Sequence, residues 1–372
     1  AGSPLPTPDQ VDGPLEPFTS MAQQWQRMGV GLVFETPASA AALLRPGESL
    51  VQLWWAEADQ DSGGAGQALW LRKARNAQGI ADFELQHLRL PQQLDRSALE
   101  QMMQLWAELA RLEQSDSEDD MMPLVQATQE AWDRLIAPGS AARQLLAWLD
   151  QAGDAQLSLI LPHELSNLPW QALHEQLQQE QPSTSDVPIQ LVPSVSTWAQ
   201  ARRVSKEVKS ASAKTVKASL VMAHDIFSHG GQLQAQRVSQ ILGINPCVSN
   251  DLRDVVQALT HDDVVHLAHH GHYDDEAPQR SALLVQAQSG RAQAQLPAWV
   301  LGQLDMHADV SLATCQALQT GVGQGHAAAL GPLGIGPMLM SAGARSVAGS
   351  LWQCDAWAAA VFFALWYDAP HR

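Results

Sequence analysis

The chain has little cysteine, few basic residues, few Tyr and Phe, and no long apolar run. Three cysteines in 372 residues, Cys247, Cys315 and Cys354, are too few and too far apart for a disulfide framework. They point to a reducing, cytoplasmic compartment. No apolar run approaches the about 20 residues of a membrane-spanning helix, and no secretory signal pattern opens the chain. A membrane is therefore not an expected partner. Lys and Arg number 22 against 39 Asp and Glu, a net charge of −17. Such a surface repels phosphate backbones and excludes nucleic acid as a direct partner. The main local exception, Arg202, Arg203, Lys206, Lys209, Lys214 and Lys217, reads as a solvated helix-and-loop surface, with a docking patch for an acidic partner as the alternative. Thirteen Trp stand against two Tyr and six Phe, a skew with no physical account at this level.

What is present suffices for a large core: 45% of the residues are apolar, and the length fits one large domain or two ordinary ones. Residues 1–29 form a lead-in, rich in Pro, Gly and acidic residues at its start, with a helix over Met21–Met28. Residues 30–154 read as a small β-meander followed by helices. A short helix over Ser39–Leu44 precedes strands at Ser49–Glu57, Gln67–Arg72 and Phe83–Leu90, with a loop signal at Asp59–Gly66. Ser97 and Glu100 suggest a capping box ahead of an apolar-sided helix, and helices follow over Pro123–Ile136 and Ser140–Leu149. Ser115–Asp120 is an acidic break without the spacing or central Gly of a calcium loop.

From residue 155 to 372 strands and helices alternate. Strands are expected at Gln156–Leu161, Ile189–Val192, Ala218–His224, Asn245–Ser249, Val264–His269, Ala282–Gln286, Asp309–Thr314 and Arg345–Trp352. Helices are expected at Thr197–Val204, Gln232–Leu242, Leu252–Leu259, Pro297–Leu304, Gly334–Ala342 and Asp355–Tyr367. That rhythm predicts an α/β fold with a mostly parallel sheet flanked by helices. Two of the strands end in reactive residues: VVHLAHHG (264–271) stops at His270-Gly271, and VSLATC (310–315) stops at Cys315. Parallel neighbours would bring a thiol and an imidazole to one sheet edge, where open α/β sheets place their ligands. That pairing is the minimum apparatus for nucleophilic acyl transfer.

HLAHHG (266–271), SLATCQ (311–316) and SAGARSVAGSLW (341–352), in that order, resemble the CHAT domain, a bacterial caspase- and separase-like protease module often fused to helical repeats. LILPHELSNLPWQAL (159–173) and LRPGESLVQLWW (44–55) extend the likeness over residues 30–372. The resemblance implies a caspase-like fold in which 30–154 is a pseudo-catalytic half and 155–372 the catalytic part. It implies a cysteine endopeptidase with His270 as catalytic histidine, Cys315 as nucleophile, and the backbone N–H groups of Gly271 and Cys315 as oxyanion hole. It implies a cleft lined by Ser350, Leu351 and Trp352, pairing with an extended peptide. The partners implied are a protein or peptide substrate and a regulatory protein or upstream helical repeats, with a place in a bacterial regulatory or defence pathway.

Two positions depart from the family's habit. His269 stands where Cys is usual and should face away from His270. Ala356 stands where members commonly carry Asp, with Asp355 one place earlier. Asp355, Asp274 and Asp275 are then the acids available to a basic substrate side chain. The Gly-rich Ala317–Leu330 reads as a mobile loop that orders on activation.

Plainer readings compete. A lone Cys at a strand end is more often an ordinary buried thiol, and Cys247 and Cys354, without such company, are expected to be structural. His266, His269, His270 and His272 alternate between faces with no carboxylate or thiolate at ligand spacing, so no metal and no cofactor is expected. His163 reads as a surface or cap residue, and Trp170 and Trp352 as core. The alternative to an enzyme is a catalytically silent scaffold of the same fold.

Overall fold

The computed structural model describes residues 37–55, 66–75, 81–91, 94, 96–113, 121–150, 156–161, 165, 168–180, 187–210, 216–227, 231–272, 280–286, 293–316, 334–349 and 356–368. The lead-in with its expected helix, the acidic break, His163, and Ala317–Leu330 lie outside them.

The first part of the chain runs α1 (Pro37–Ala41), β1 (Glu48–Trp55), β2 (Gly66–Arg75), β3 (Ala81–Arg89), α2 (Arg96–Glu113), α3 (Met121–Leu135), α4 (Ala141–Asp150), β4 (Gln156–Ile160), α5 (Trp170–Glu180), β5 (Ile189–Leu191) and α6 (Val195–Ser210). Its strands form one sheet in the order β3-β2-β1-β4-β5. The meander β1–β3 is antiparallel, whereas β4 pairs parallel with both β1 and β5. Alternation along β1 sorts its side chains: Val51 and Leu53 enter one core with Trp70, Trp106, Leu145 and Trp170, and Leu50 enters another with Leu71 and Trp198. Several of the chain's tryptophans are thus buried around this sheet. Two of their indole N–H groups donate, Trp70 to Ser49 Oγ at 3.0 Å and Trp170 to the Leu165 carbonyl at 2.8 Å, whereas that of Trp198 has no partner of normal geometry among the described residues.

Three local expectations are revised here. The helix α2 begins at Arg96, so Ser97 lies inside its first turn instead of capping it. The strands β4 and β5, which the rhythm of the sequence groups with those downstream, belong to the first sheet, so the change of sheet falls between Leu191 and Ala218. Arg202 is not a solvated charge: its guanidinium lies over the Trp198 ring and pairs with the buried Glu48 carboxylate at 3.2 Å.

The second part runs β6 (Ala218–Met222), α7 (His224–Ile226), α8 (Gln232–Leu242), β7 (Cys247–Val248), α9 (Leu252–His261), β8 (Val264–His272), β9 (Ala282–Gln286), β10 (Gln293–Pro297), α10 (Ala298–Leu301), β11 (Asp309–Gln316), α11 (Ile335–Ser341), β12 (Ser346–Gly349) and α12 (Ala356–Asp368). Parallel pairings give the order β7-β6-β8-β11-β12. The antiparallel hairpin β9–β10 attaches where β8 outruns β6, through Gly271–Leu283 and His272–Ala282. β10 has no counterpart in the sequence reading, because Gln and Ala carry little strand preference. Its helix sequel is correspondingly shorter than the expected Pro297–Leu304.

The two faces of this sheet are covered by different helices. Val221, Val265, Leu267, Val310 and Leu312 pack with Val255 and Leu259 of α9, Leu301 of α10 and Leu339 of α11. Leu220, Met222, Ala268 and Ala313 pack with Val238 of α8 and Phe363 and Tyr367 of α12. The result is a caspase-like α/β architecture: a mainly parallel sheet between helices, with a second mixed sheet formed by the N-terminal part.

Candidate active site

The two reactive strands are neighbours, and their register is the central fact of the site. β8 and β11 pair residue for residue from Val264–Asp309 to Gly271–Gln316, and within that ladder Cys315 is the partner of His270. Neighbouring strands lie about 4.8 Å apart, and paired positions share a face of the pleat. A sulfur-bearing position and an imidazole position 45 residues apart in sequence, 270 and 315, thus stand side by side at the C-terminal edge of a parallel sheet.

The shared face changes character along β8. His266 and Ala268 are sealed under α8 and α12. His266 is in register with Ser311, bonds the Gln234 side-chain amide of α8 through Nε2 at 2.9 Å, and presents its ring to the rings of Phe363 and Tyr367. Tyr367 OH and Ser311 Oγ are bonded at 2.6 Å. Two pleats further on, His270 emerges with 14% of its side chain exposed. Gly271 and His272 are held by β9.

His270 meets an acid that the sequence reading passed over. β6 ends at Met222, and the Ala223 N–H still bonds the Ala268 carbonyl of β8 at 2.8 Å. The chain then turns into α7, anchored by buried Ile226, and the turn carries Asp225 to His270. His270 Nε2 and Asp225 Oδ2 are 2.5 Å apart. No sequence motif marks Asp225. The available signal was its position just past the C-terminal end of a strand in the same parallel sheet.

His269 faces the other way, in register with Thr314, and is fully buried. Neither ring nitrogen has a hydrogen-bond partner within normal geometry among the described residues. Burial, helped by the neighbouring His270, pushes its pKa down from 6.5 to about 4, against smaller upward pulls from the Asp225 carboxylate and from the Leu284 backbone, which acts on the ring without a hydrogen bond of normal geometry. Cys247, exposed as a residue, opens β7; the partial cover of its thiol, together with the nearby Asp254, raises its pKa. Ser350, Leu351, Trp352, Cys354, Asp355, Asp274 and Asp275 lie outside the described residues. No group of His, Cys, Asp and Glu suited to holding a metal ion occurs among the described residues.

The mainly parallel sheet between helices, with its second mixed sheet, is a caspase-like α/β fold. The family model of the CHAT domain matches residues 125–370, more than half of the chain. The chain belongs to the CHAT domain family, which is related to the caspase-like cysteine peptidases. No curated protein matches it. No helix among the described residues is long and apolar enough to cross a membrane.

Proposed function

We propose that the protein is a cysteine endopeptidase that cleaves a protein substrate with a Cys315–His270 dyad. The observation that carries this reading is the β8–β11 register, which sets position 315 beside position 270 at the edge where α/β sheets take their ligands. Cys315, as thiolate after giving its proton to His270, attacks the carbonyl carbon of the scissile bond. The oxyanion that forms is stabilised by the backbone N–H groups of Gly271 and Cys315. The C–N bond then breaks, and the amine leaves with the proton from His270. Water attacks the thioester, its proton returns through His270, and the acid product and the free thiol are released. Ser350, Leu351 and Trp352 would pair with the peptide as an added strand. Asp355 or Asp274 would receive a basic side chain next to the scissile bond. The enzyme acts in the bacterial cytoplasm, restrained until a regulatory protein or upstream helical repeats release it.

A peptide-library cleavage screen on the full chain tests the reading, with Cys315→Ala and His270→Ala as controls. Cleavage lost in both variants, with circular dichroism unchanged, supports it. A thiol-reactive peptide probe should label Cys315 ahead of Cys247 and Cys354. Equal labelling of all three, or cleavage that survives Cys315→Ala, overturns it in favour of a silent scaffold.

A further inference from the structure

We propose that Asp225 is a positioning residue that fixes the His270 tautomer, so that Nδ1 is the nitrogen that exchanges protons with the reacting groups. The inference rests on the peptidase reading of the same site. It starts from one contact, His270 Nε2 to Asp225 Oδ2 at 2.5 Å. An ionised carboxylate only accepts hydrogen bonds, so the ring nitrogen facing it carries the proton. A neutral imidazole has one N–H. With Nε2 committed to Asp225, Nδ1 presents the lone pair and takes up the mobile proton.

The sheet order supports the assignment independently of that contact. β6, β8 and β11 are consecutive neighbours. They carry Asp225 just past the end of the first, His270 near the end of the second, and Cys315 near the end of the third. Acid, imidazole and thiol positions therefore follow one another across a single edge, the order in which an acid orients the imidazole that serves a nucleophile. The turn bearing Asp225 is braced. Ile226 is buried beneath it, the His224 N–H bonds Asn250 Oδ1 at 2.9 Å, and a Cβ on Gly231 would stand 2.5 Å from the Ile226 carbonyl oxygen. The close approach at Gly231 lets α8 begin directly against the turn. Asp225 itself is half exposed, 51% of its side chain, so its isosteric replacement leaves the core untouched.

Two measurements on the full chain test this. In Cys315→Ala protein labelled with ¹⁵N-histidine, long-range proton–nitrogen spectra report which ring nitrogen of His270 is protonated, with the His270→Gln spectrum assigning the signals. Nε2–H is expected, and Asp225→Asn should raise the share of the Nδ1–H form. In the active chain, Asp225→Asn should lower kcat at least tenfold and by no more than the roughly 10²–10⁴-fold that a positioned proton-transfer group supplies in full, with KM little changed. Asp225→Glu should recover part of the rate. An unchanged tautomer in Asp225→Asn overturns the proposal. So does a rise in KM confined to substrates with a basic side chain at the cleavage site with kcat unaltered, which would make Asp225 a substrate-binding acid. If the wild-type chain cleaves nothing, the peptidase reading fails, while the ring-nitrogen spectra still decide whether Asp225 sets the tautomer.

Discussion

His269 makes the fold sensitive to acid, and replacing it with Leu should remove that sensitivity. The imidazole is sealed on the core face of β8, its ring nitrogens make no hydrogen bond of normal geometry among the described residues, and burial pushes its pKa down from 6.5 to about 4. In the unfolded chain the same group titrates near 6.5, so between these values the unfolded state binds more protons than the native one. Stability therefore rises with pH across this window. The full contribution is present above the unfolded value and is lost as pH falls toward the folded one. The shift corresponds to about 3 kcal/mol in all, of which about 2 kcal/mol is lost between about pH 7.5 and about pH 5. His269→Leu keeps side-chain bulk and removes two buried polar atoms. It should be near neutral or mildly stabilising at the upper pH, because a buried polar group without a partner stabilises nothing. The assay is urea unfolding of the full chain and the variant across that range. Carboxylates away from position 269 titrate alike in both proteins, so the difference between the two curves reports His269 and its coupling to His270 and Asp225. A difference that stays flat with pH, or that runs in the opposite direction, refutes the reasoning.

Gly343, in the turn between α11 and β12, has φ +107°, and a Cβ there would stand 2.2 Å from the Met306 carbonyl oxygen. Gly139 has φ +84° with open space around it. Gly139→Ala should cost about 1–2 kcal/mol from backbone conformation alone, and Gly343→Ala roughly 1–3 kcal/mol more from the overlap. Equal losses in chemical denaturation would show that the contact is not there. Tyr367→Phe removes the hydroxyl that bonds Ser311 Oγ in the core, and should cost about 1–2 kcal/mol. Ser311→Ala in the same background should then add little, and fully additive losses in a double-mutant cycle would show that the two hydroxyls do not interact.

Most of the strands were legible because their periodicity is local. SLVQLWW, ASLVM, VVHLAHH and DVSLATC carry apolar and β-branched residues over the short spans that strands need. The helices α8 and α9 were equally plain from their apolar stripes. Less legible was what depends on distant partners. QAQLP (293–297) is a strand because β9 pairs with it. Trp170–Glu180 forms a helix that its mixed sequence hardly announces. QLSLI (156–160) looks like the first strand of the downstream sheet, yet pairs with β1 because the meander leaves that strand an open edge.

The sequence by itself determined the α/β class, two strands that carry His270 and Cys315 near their C-terminal ends, and the outward and inward alternation of His270 and His269. These follow from a two-residue period that a strand cannot escape. Tertiary structure alone decided that position 315 is paired with 270 and not with 269, and that Asp225 arrives beside the ring. Register and strand order are set by the burial of whole faces and by backbone hydrogen bonds between segments far apart in the chain, and no window of sequence contains both sides of such a bond.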